Sequence, residues 1–228
     1  MKREVKVTED GSKTLFIKDL DEGYHSHHGA LQEAKHVFIE NGIKLQNDCE
    51  INILELGFGT GLNVLVTIDE FLKTDKCHKI HYTTIEKYPV LPDEIVALAY
   101  DSLFEDEKLS EIYKKIHAAE WGKPVEILPN FTLTKYEADF FELPKLEMPA
   151  INLVYFDCFG AKVQPDLWEE PLFKMVTDKM KEDGLLTTYS AKGSVRRILK
   201  ALNYEVTRRP GPPGKREMIT AVYKGIEE

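Results

Sequence analysis

One glycine turn and three carboxylates mark where this 228-residue chain could do chemistry. The run Glu55-Leu56-Gly57-Phe58-Gly59-Thr60-Gly61 follows the compact apolar segment INILEL and leads into an amphipathic stretch. Glycines there permit positive φ and close approach of the backbone to a ligand. The helix that follows offers its first amides to a carboxylate. The G-x-G-x-G spacing differs from the G-x-G-x-x-G of dinucleotide binders. Glu86 closes the next strand-like run, where a carboxylate can accept hydrogen bonds from both hydroxyls of an adenosine ribose. Asp139 follows a third such run and could accept from an adenine amino group. Asp157 ends a fourth, INLVYF, and is placed to orient a nucleophile and collect its proton. The plainer alternatives are a tight turn with no ligand and, for either aspartate, a loop acid or helix cap.

These residues need a scaffold that brings strand ends together. Short apolar runs predict strands at 14–18, 51–56, 80–85, 131–136, 151–156, 185–190, 204–209 and 217–224. Helical patterns fall at about 29–41, 61–73, 93–119, 166–182 and 194–202, with a loop over 21–30. Strand and helix alternate for most of the length, which predicts a largely parallel sheet with helices on both faces. The last two strands are joined only by PGPPGKR and must run antiparallel, because a parallel pair needs a long crossover. The expectation is therefore an α/β fold with a mostly parallel seven-stranded sheet and a C-terminal antiparallel hairpin. We expect a single domain over 1–228, with the strand, loop and helix of 1–45 covering the site. In such a sheet the ligand crevice lies beyond the carboxyl ends of the strands, where Glu86, Asp139 and Asp157 all fall.

Composition narrows the setting. The net charge is −9, mildly against a nucleic-acid partner. Yet residues 192–216 hold eight basic residues (Lys192, Arg196, Arg197, Lys200, Arg208, Arg209, Lys215, Arg216) against Glu205 alone. That segment is either a phosphate-binding face or a solvated surface. Cys49, Cys77 and Cys158 are odd in number and widely spaced, giving neither a disulfide framework nor a zinc pattern. They fit a reducing cytoplasm. No apolar run approaches the ~20 residues needed to span a bilayer, and the charged MKREVKVTED is no signal peptide. His25, His27 and His28 have no acidic or cysteine partner at ligand spacing, so no metal is expected. Cys158 reads as a small buried residue rather than a nucleophile. Trp121 could stack a base or be buried.

In order along the chain, ELGFGTGLN, TIEKYP (84–89), YFDCFGAKVQPDLW (155–168), TYSAKGSVRR (188–197) and PGPPGKREMITA (210–221) resemble the tRNA wobble-uridine methyltransferases represented by the methyltransferase half of MnmC. The likeness runs from about Tyr24 to Tyr223. It implies a class I methyltransferase fold with S-adenosyl-L-methionine (SAM) as cofactor, held by Gly57, Phe58, Gly59, Thr60, Gly61, Glu86, Asp139 and Asp157. The implied reaction methylates the 5-aminomethyl group of 5-aminomethyl-2-thiouridine in the tRNA anticodon region. Asp157 and Tyr24 are the implied catalytic pair, Tyr24 and Ser26 helping to cover the cofactor or base. Lys192, Arg196, Arg197, Lys215 and Arg216 are the implied tRNA contacts. The FAD-dependent half of bifunctional members has no counterpart here, so FAD is not expected. One departure is visible: Asp157-Cys158-Phe159-Gly160-Ala161 lacks the family's proline, while Gln164-Pro165-Asp166-Leu167-Trp168 restores the pattern. An alkylamine has a pKa near ~10, and only its neutral form can accept a methyl group, so placement of the amine matters at least as much as basicity. Other readings are a methyltransferase or aminopropyl transferase for a small-molecule or protein amine, and a SAM-binding module without catalysis.

Overall fold

The computed structural model describes residues 2–74, 79–104 and 106–225; Cys77 lies outside them. The chain opens with β1 (Arg3–Val7), β2 (Lys13–Ile17) and β3 (Glu22–Gly23). They form a small antiparallel sheet of order β1-β2-β3. Next come α1 (Ala30–Ala34), β4 (Glu50–Leu56), α2 (Leu62–Lys73), β5 (Lys79–Glu86), α3 (Pro92–Leu98) and α4 (Lys108–Ala118). The remainder is β6 (Pro124–Leu128), β7 (Phe131–Glu137), β8 (Ile151–Phe156), α5 (Glu170–Thr177), β9 (Met180–Thr188), α6 (Gly193–Ala201), β10 (Tyr204–Pro210) and β11 (Glu217–Tyr223).

The main sheet has eight strands in the order β10-β11-β9-β8-β4-β5-β7-β6. Strands β9, β8, β4, β5 and β7 are parallel, and β11 pairs antiparallel with both β9 and β10. The expected seven strands are thus corrected to eight. The addition is β6, an edge strand antiparallel to β7. Its sequence PVEIL starts on a proline and buries only Ile127 fully, so it lacks the apolar weight that announces a strand; proline is tolerated at such an edge start.

Two further expectations change. The single helix over 166–182 is a short 3-10 turn at Pro165–Trp168 followed by α5. Asp183 and Gly184 bulge within β9, where the pairing jumps from Ile151↔Met180 to Leu153↔Leu185. The helix expected over 29–41 is α1 continued as a π-helical turn over Lys35–Glu40. Within that turn Val37 O accepts from the Thr187 hydroxyl of β9 at 3.0 Å.

Alternation along β4 sends Ile51, Ile53 and Glu55 to one face and Leu54 and Leu56 to the other. The first face packs under α2 and α4 through Leu65, Ile68, Ile112 and Ile116. The second packs under α5 and α6 through Leu172, Phe173, Val195 and Leu199. Chain order reverses between β4 and β8, which opens a crevice at their carboxyl ends. No helix among the described residues is long and apolar enough to cross a membrane.

Glu55 brings a carboxyl into this core. It is completely buried, with Thr84, Asn63 and Tyr82 around its carboxyl but no hydrogen bond completed to either oxygen. Burial pushes its pKa up to about 8, against the smaller downward pull of Thr84. The folded state therefore holds this proton between the ordinary carboxylate range and pH 8, and stability falls as pH rises through that window. Glu55→Gln should flatten that decline and raise stability at pH 8 by on the order of 2 kcal/mol. Thermal melts of both proteins from pH 5 to 8 check it; parallel curves would show that Glu55 is not the titrating group.

Candidate active site

A cavity of about 610 Å³ sits at the carboxyl ends of β4, β5, β8 and β9. Its floor is the glycine turn. Gly57, Gly59 and Gly61 have φ of 102°, 49° and 74°, a conformation that L side chains avoid. Gly57 N and Phe58 N both donate to Ile85 O, at 3.0 and 3.2 Å. A Cβ on Gly57 would lie 2.9 Å from Asp157 O, so glycine lets the ends of β4 and β8 close on each other. Gly61 caps α2 and does not face the cavity. Behind the turn, buried Lys135 donates 2.9 Å bonds to Ile116 O and His117 O, satisfying the last carbonyls of α4. Trp121 lies against that ammonium and Phe58, off the cavity wall.

Glu86 ends β5 with both oxygens engaged. Oε2 accepts from Gly59 N at 2.9 Å and Oε1 from Tyr88 N at 2.7 Å. A carboxylate has about four lone-pair sites, so it can hold the turn and still accept from two ligand hydroxyls. Asp139 lines the same end of the cavity and is also a helix cap: Oδ1 accepts from Phe141 N at 2.9 Å and Oδ2 from Lys87 Nζ at 2.7 Å. Burial raises its pKa, but these two donors outweigh it and hold the carboxyl below its usual range. Phe140 and Phe141 beside it supply apolar wall.

Asp157 stands at the tip of β8. Asn63 Nδ2, in the first turn of α2, donates to its Oδ2 at 2.8 Å. Desolvation lifts its pKa to about 7; Asn63 and Lys215 pull it down and Glu33 pushes it up. The loop beyond is stapled by side chains, with Trp168 Nε1 donating to Phe159 O and the Tyr189 hydroxyl to Cys158 O, both at 2.7 Å. Those staples hold the loop where the family's proline is missing. Cys158 is buried and its thiol pKa is pushed well up by burial, which leaves it inert.

The small N-terminal sheet forms the roof. Tyr24 sits 5.0 Å, ring to ring, from Phe159 and lies over Gly59. Its hydroxyl accepts from Arg3 Nη1 at 3.0 Å. Arg3 also pairs with Glu94 at 2.9 Å and donates to Tyr88 O and Pro89 O, clamping the roof to the segment after β5. His25 is enclosed and pushed down to a pKa of about 4 by burial. Exposed Glu9 and His27 come together with His28, although sequence spacing offered no acidic partner.

Of the residues singled out in the sequence, Tyr24, Gly57, Phe58, Gly59, Thr60, Glu86, Asp139, Asp157 and Lys215 line the cavity. Lys192, Arg196, Arg197 and Arg216 lie off its wall, on α6, the residue before it and the β10–β11 turn. Asn63, Glu33, Arg3 and the two phenylalanines were missed; Asn63 was in view as the last residue of GFGTGLN.

The cavity suits SAM. Thr60 Oγ1 and Asn63 Oδ1 are buried without partners, and both residues line it. A hydroxyl donor and an amide acceptor there match the carboxylate and amino group of an amino-acid moiety. Glu86 and Asp139, also on its wall, match a ribose and an amino-substituted base.

Residues 103–224 match the family described as S-adenosyl-L-methionine-dependent methyltransferase. The chain is 30% identical over 216 residues to the tRNA 5-methylaminomethyl-2-thiouridine biosynthesis bifunctional protein MnmC of Leptospira borgpetersenii serovar Hardjo-bovis, covering 90% of this chain and 32% of that protein. It is 31% identical over 222 residues to the protein of the same name from Ralstonia nicotianae, covering 92% and 33%. The chain thus spans about a third of the length of these curated relatives. Among solved structures, MNMC2 from Aquifex aeolicus superposes with a TM-score of 0.79 at 24% identity, over 99% of this chain and 71% of that one.

Proposed function

Since this chain belongs to the S-adenosyl-L-methionine-dependent methyltransferases, we propose that it transfers a methyl group to the 5-aminomethyl nitrogen of a wobble uridine in tRNA. The observation that carries this reading is Asp157 on the wall of a cavity of about 610 Å³, a carboxyl whose pKa burial raises, with Lys215 on the same wall. The names of the curated relatives favour the same acceptor.

SAM, when bound, supplies an electrophilic methyl group. Gly57–Thr60 and Asn63 would hold its amino-acid end, Glu86 its ribose and Asp139 its base. Asn63 fixes the Asp157 carboxyl by a bond to one oxygen, leaving the other to accept an N–H of the substrate amine. Asp157 then takes the proton that the amine must lose. Tyr24, tied to Arg3 and edged against Phe159, closes the cavity over the reacting groups and excludes water.

The basic face begins where the cavity ends. Tyr189 lines the cavity and Lys192 follows three residues later, just before α6. Among the described residues Lys192, Arg196, Arg197 and Arg216 have no carboxylate within ion-pair distance. Exposed Lys192, Arg197 and Arg216 are free to meet phosphates.

Labelled SAM incubated with tRNA bearing 5-aminomethyl-2-thiouridine, then digested to nucleosides, should give label in the methylaminomethyl nucleoside. Label in none would favour a small-molecule amine. Replacing Lys192, Arg197 and Arg216 together by Ala should weaken tRNA binding at least tenfold and flatten the salt dependence by about 2–3 units of slope. An unchanged slope would return this face to ordinary solvated surface.

A further inference from the structure

Lys215 does not reach outward with its basic neighbours. It turns into the cavity from the β10–β11 turn, where its ammonium meets Glu33 Oε1 at 2.6 Å and lies 3.8 Å from the centre of the Tyr189 ring. Both partners are held independently of it. The second oxygen of Glu33 accepts from Ser26 N at 2.9 Å, and the Tyr189 hydroxyl is anchored on Cys158 O. Glu33 is 8% exposed, so its charge sits in a poorly solvated place and needs a cation. The lysine side chain is 34% exposed and can leave by rotating about its own bonds.

A carboxylate and an aromatic face around one nitrogen form a recognition site for a cation. A lysine side chain and an aminomethyl group are both primary alkylammonium ions. Glu33, Tyr189 and Lys215 line the same cavity as Asp157, and the charges of Glu33 and Lys215 act on Asp157 in opposite senses.

We propose that Glu33 and the Tyr189 ring form an alkylammonium subsite, that Lys215 fills it in the free protein, and that the amine of the substrate displaces Lys215. This rests on the amine-acceptor reading above. Exchange of one ammonium for another leaves Glu33 paired throughout, so the subsite never pays for an uncompensated buried charge. It also selects against acceptors with a hydroxyl or carboxylate in place of the amine, because those would leave Glu33 unpaired.

The probe is 5-aminomethyluridine as the free nucleoside, which carries no phosphate for a surface lysine to bind. It is titrated calorimetrically into protein saturated with S-adenosylhomocysteine. Lys215→Met should bind it at least tenfold more tightly than wild type. Glu33→Gln in the Lys215→Met background should lose that gain. Affinity for S-adenosylhomocysteine should stay within twofold throughout, which a damaged fold would not allow; Lys215→Gln serves if the methionine variant melts early. Probe affinity within twofold of wild type in the Lys215 variant, or a gain that survives Glu33→Gln, overturns the subsite. Methyl transfer to aminomethyl-tRNA by wild type separates the two ideas. Transfer without the gain discards the subsite and keeps the enzyme; the gain without transfer keeps an amine site and discards the tRNA acceptor.

Discussion

Asp157→Asn is expected to lower kcat by 10²–10³-fold while SAM binding changes less than threefold. The amide keeps the volume of the carboxyl and an oxygen for the 2.8 Å bond from Asn63, so the loop should keep its shape. What is lost is the proton acceptor, and general-base catalysis is worth about 10²–10⁴ in rate. The pH profile is the sharper readout. The pKa of this acid is raised to about 7, so it is protonated and unable to accept below that value. The wild-type kcat/KM should rise through pH 7, then rise again as the amine titrates nearer ~10. The variant should keep only the second rise. Because one ammonium replaces another beside Glu33, the first inflection should fall at about the same pH in kcat and in kcat/KM. Turnover within threefold of wild type would remove Asp157 from the chemistry.

Glu86→Ala should weaken SAM binding by about 30–100-fold, roughly 2–3 kcal/mol. Two losses combine there. On the proposed reading the ligand loses its ribose acceptor, and the amides of Gly59 and Tyr88 lose theirs. Glu86→Gln separates the two. Its amide oxygen still accepts from one backbone N–H, but its NH₂ faces the donor it replaced, so an intermediate loss near tenfold is expected. Calorimetry with S-adenosylhomocysteine reads the affinity, and the melting temperature of the ligand-free protein reads the support given to the turn. A loss in melting temperature with affinity intact would make Glu86 a structural strut only.

The strand–turn–helix of GFGTGLN was legible because everything that shapes it is local: an apolar run, three glycines, an amphipathic helix. Glu86 and Asp157 followed because they end strands of the same sheet. Asn63, Glu33 and Arg3 were not legible as site residues, since nothing near them in sequence says what they touch. Asn63 meets a carboxylate 94 positions away and Arg3 one 91 positions away. Lys215 was read from its charge and neighbours as a phosphate contact, yet its partner is Glu33, a contact that composition does not reveal. Strand β6 escaped because an edge strand needs few apolar residues. The π-helical turn escaped because the run KHVFIE reads as ordinary amphipathic helix.

The Lys215–Glu33 bridge joins positions 182 apart, and Arg3 reaches across to Glu94. The roof segment 3–33 is thus tied to partners far along the chain, Glu94 after β5 and Lys215 in the last hairpin. The three strands of the roof pair locally, while its tie through Glu33 waits for the final hairpin. Long-range closures of this kind form late and are held by few contacts. The Lys215–Glu33 tie is also the contact that the substrate amine is proposed to break, so the acceptor would open a seam that joins the two ends of the described fold.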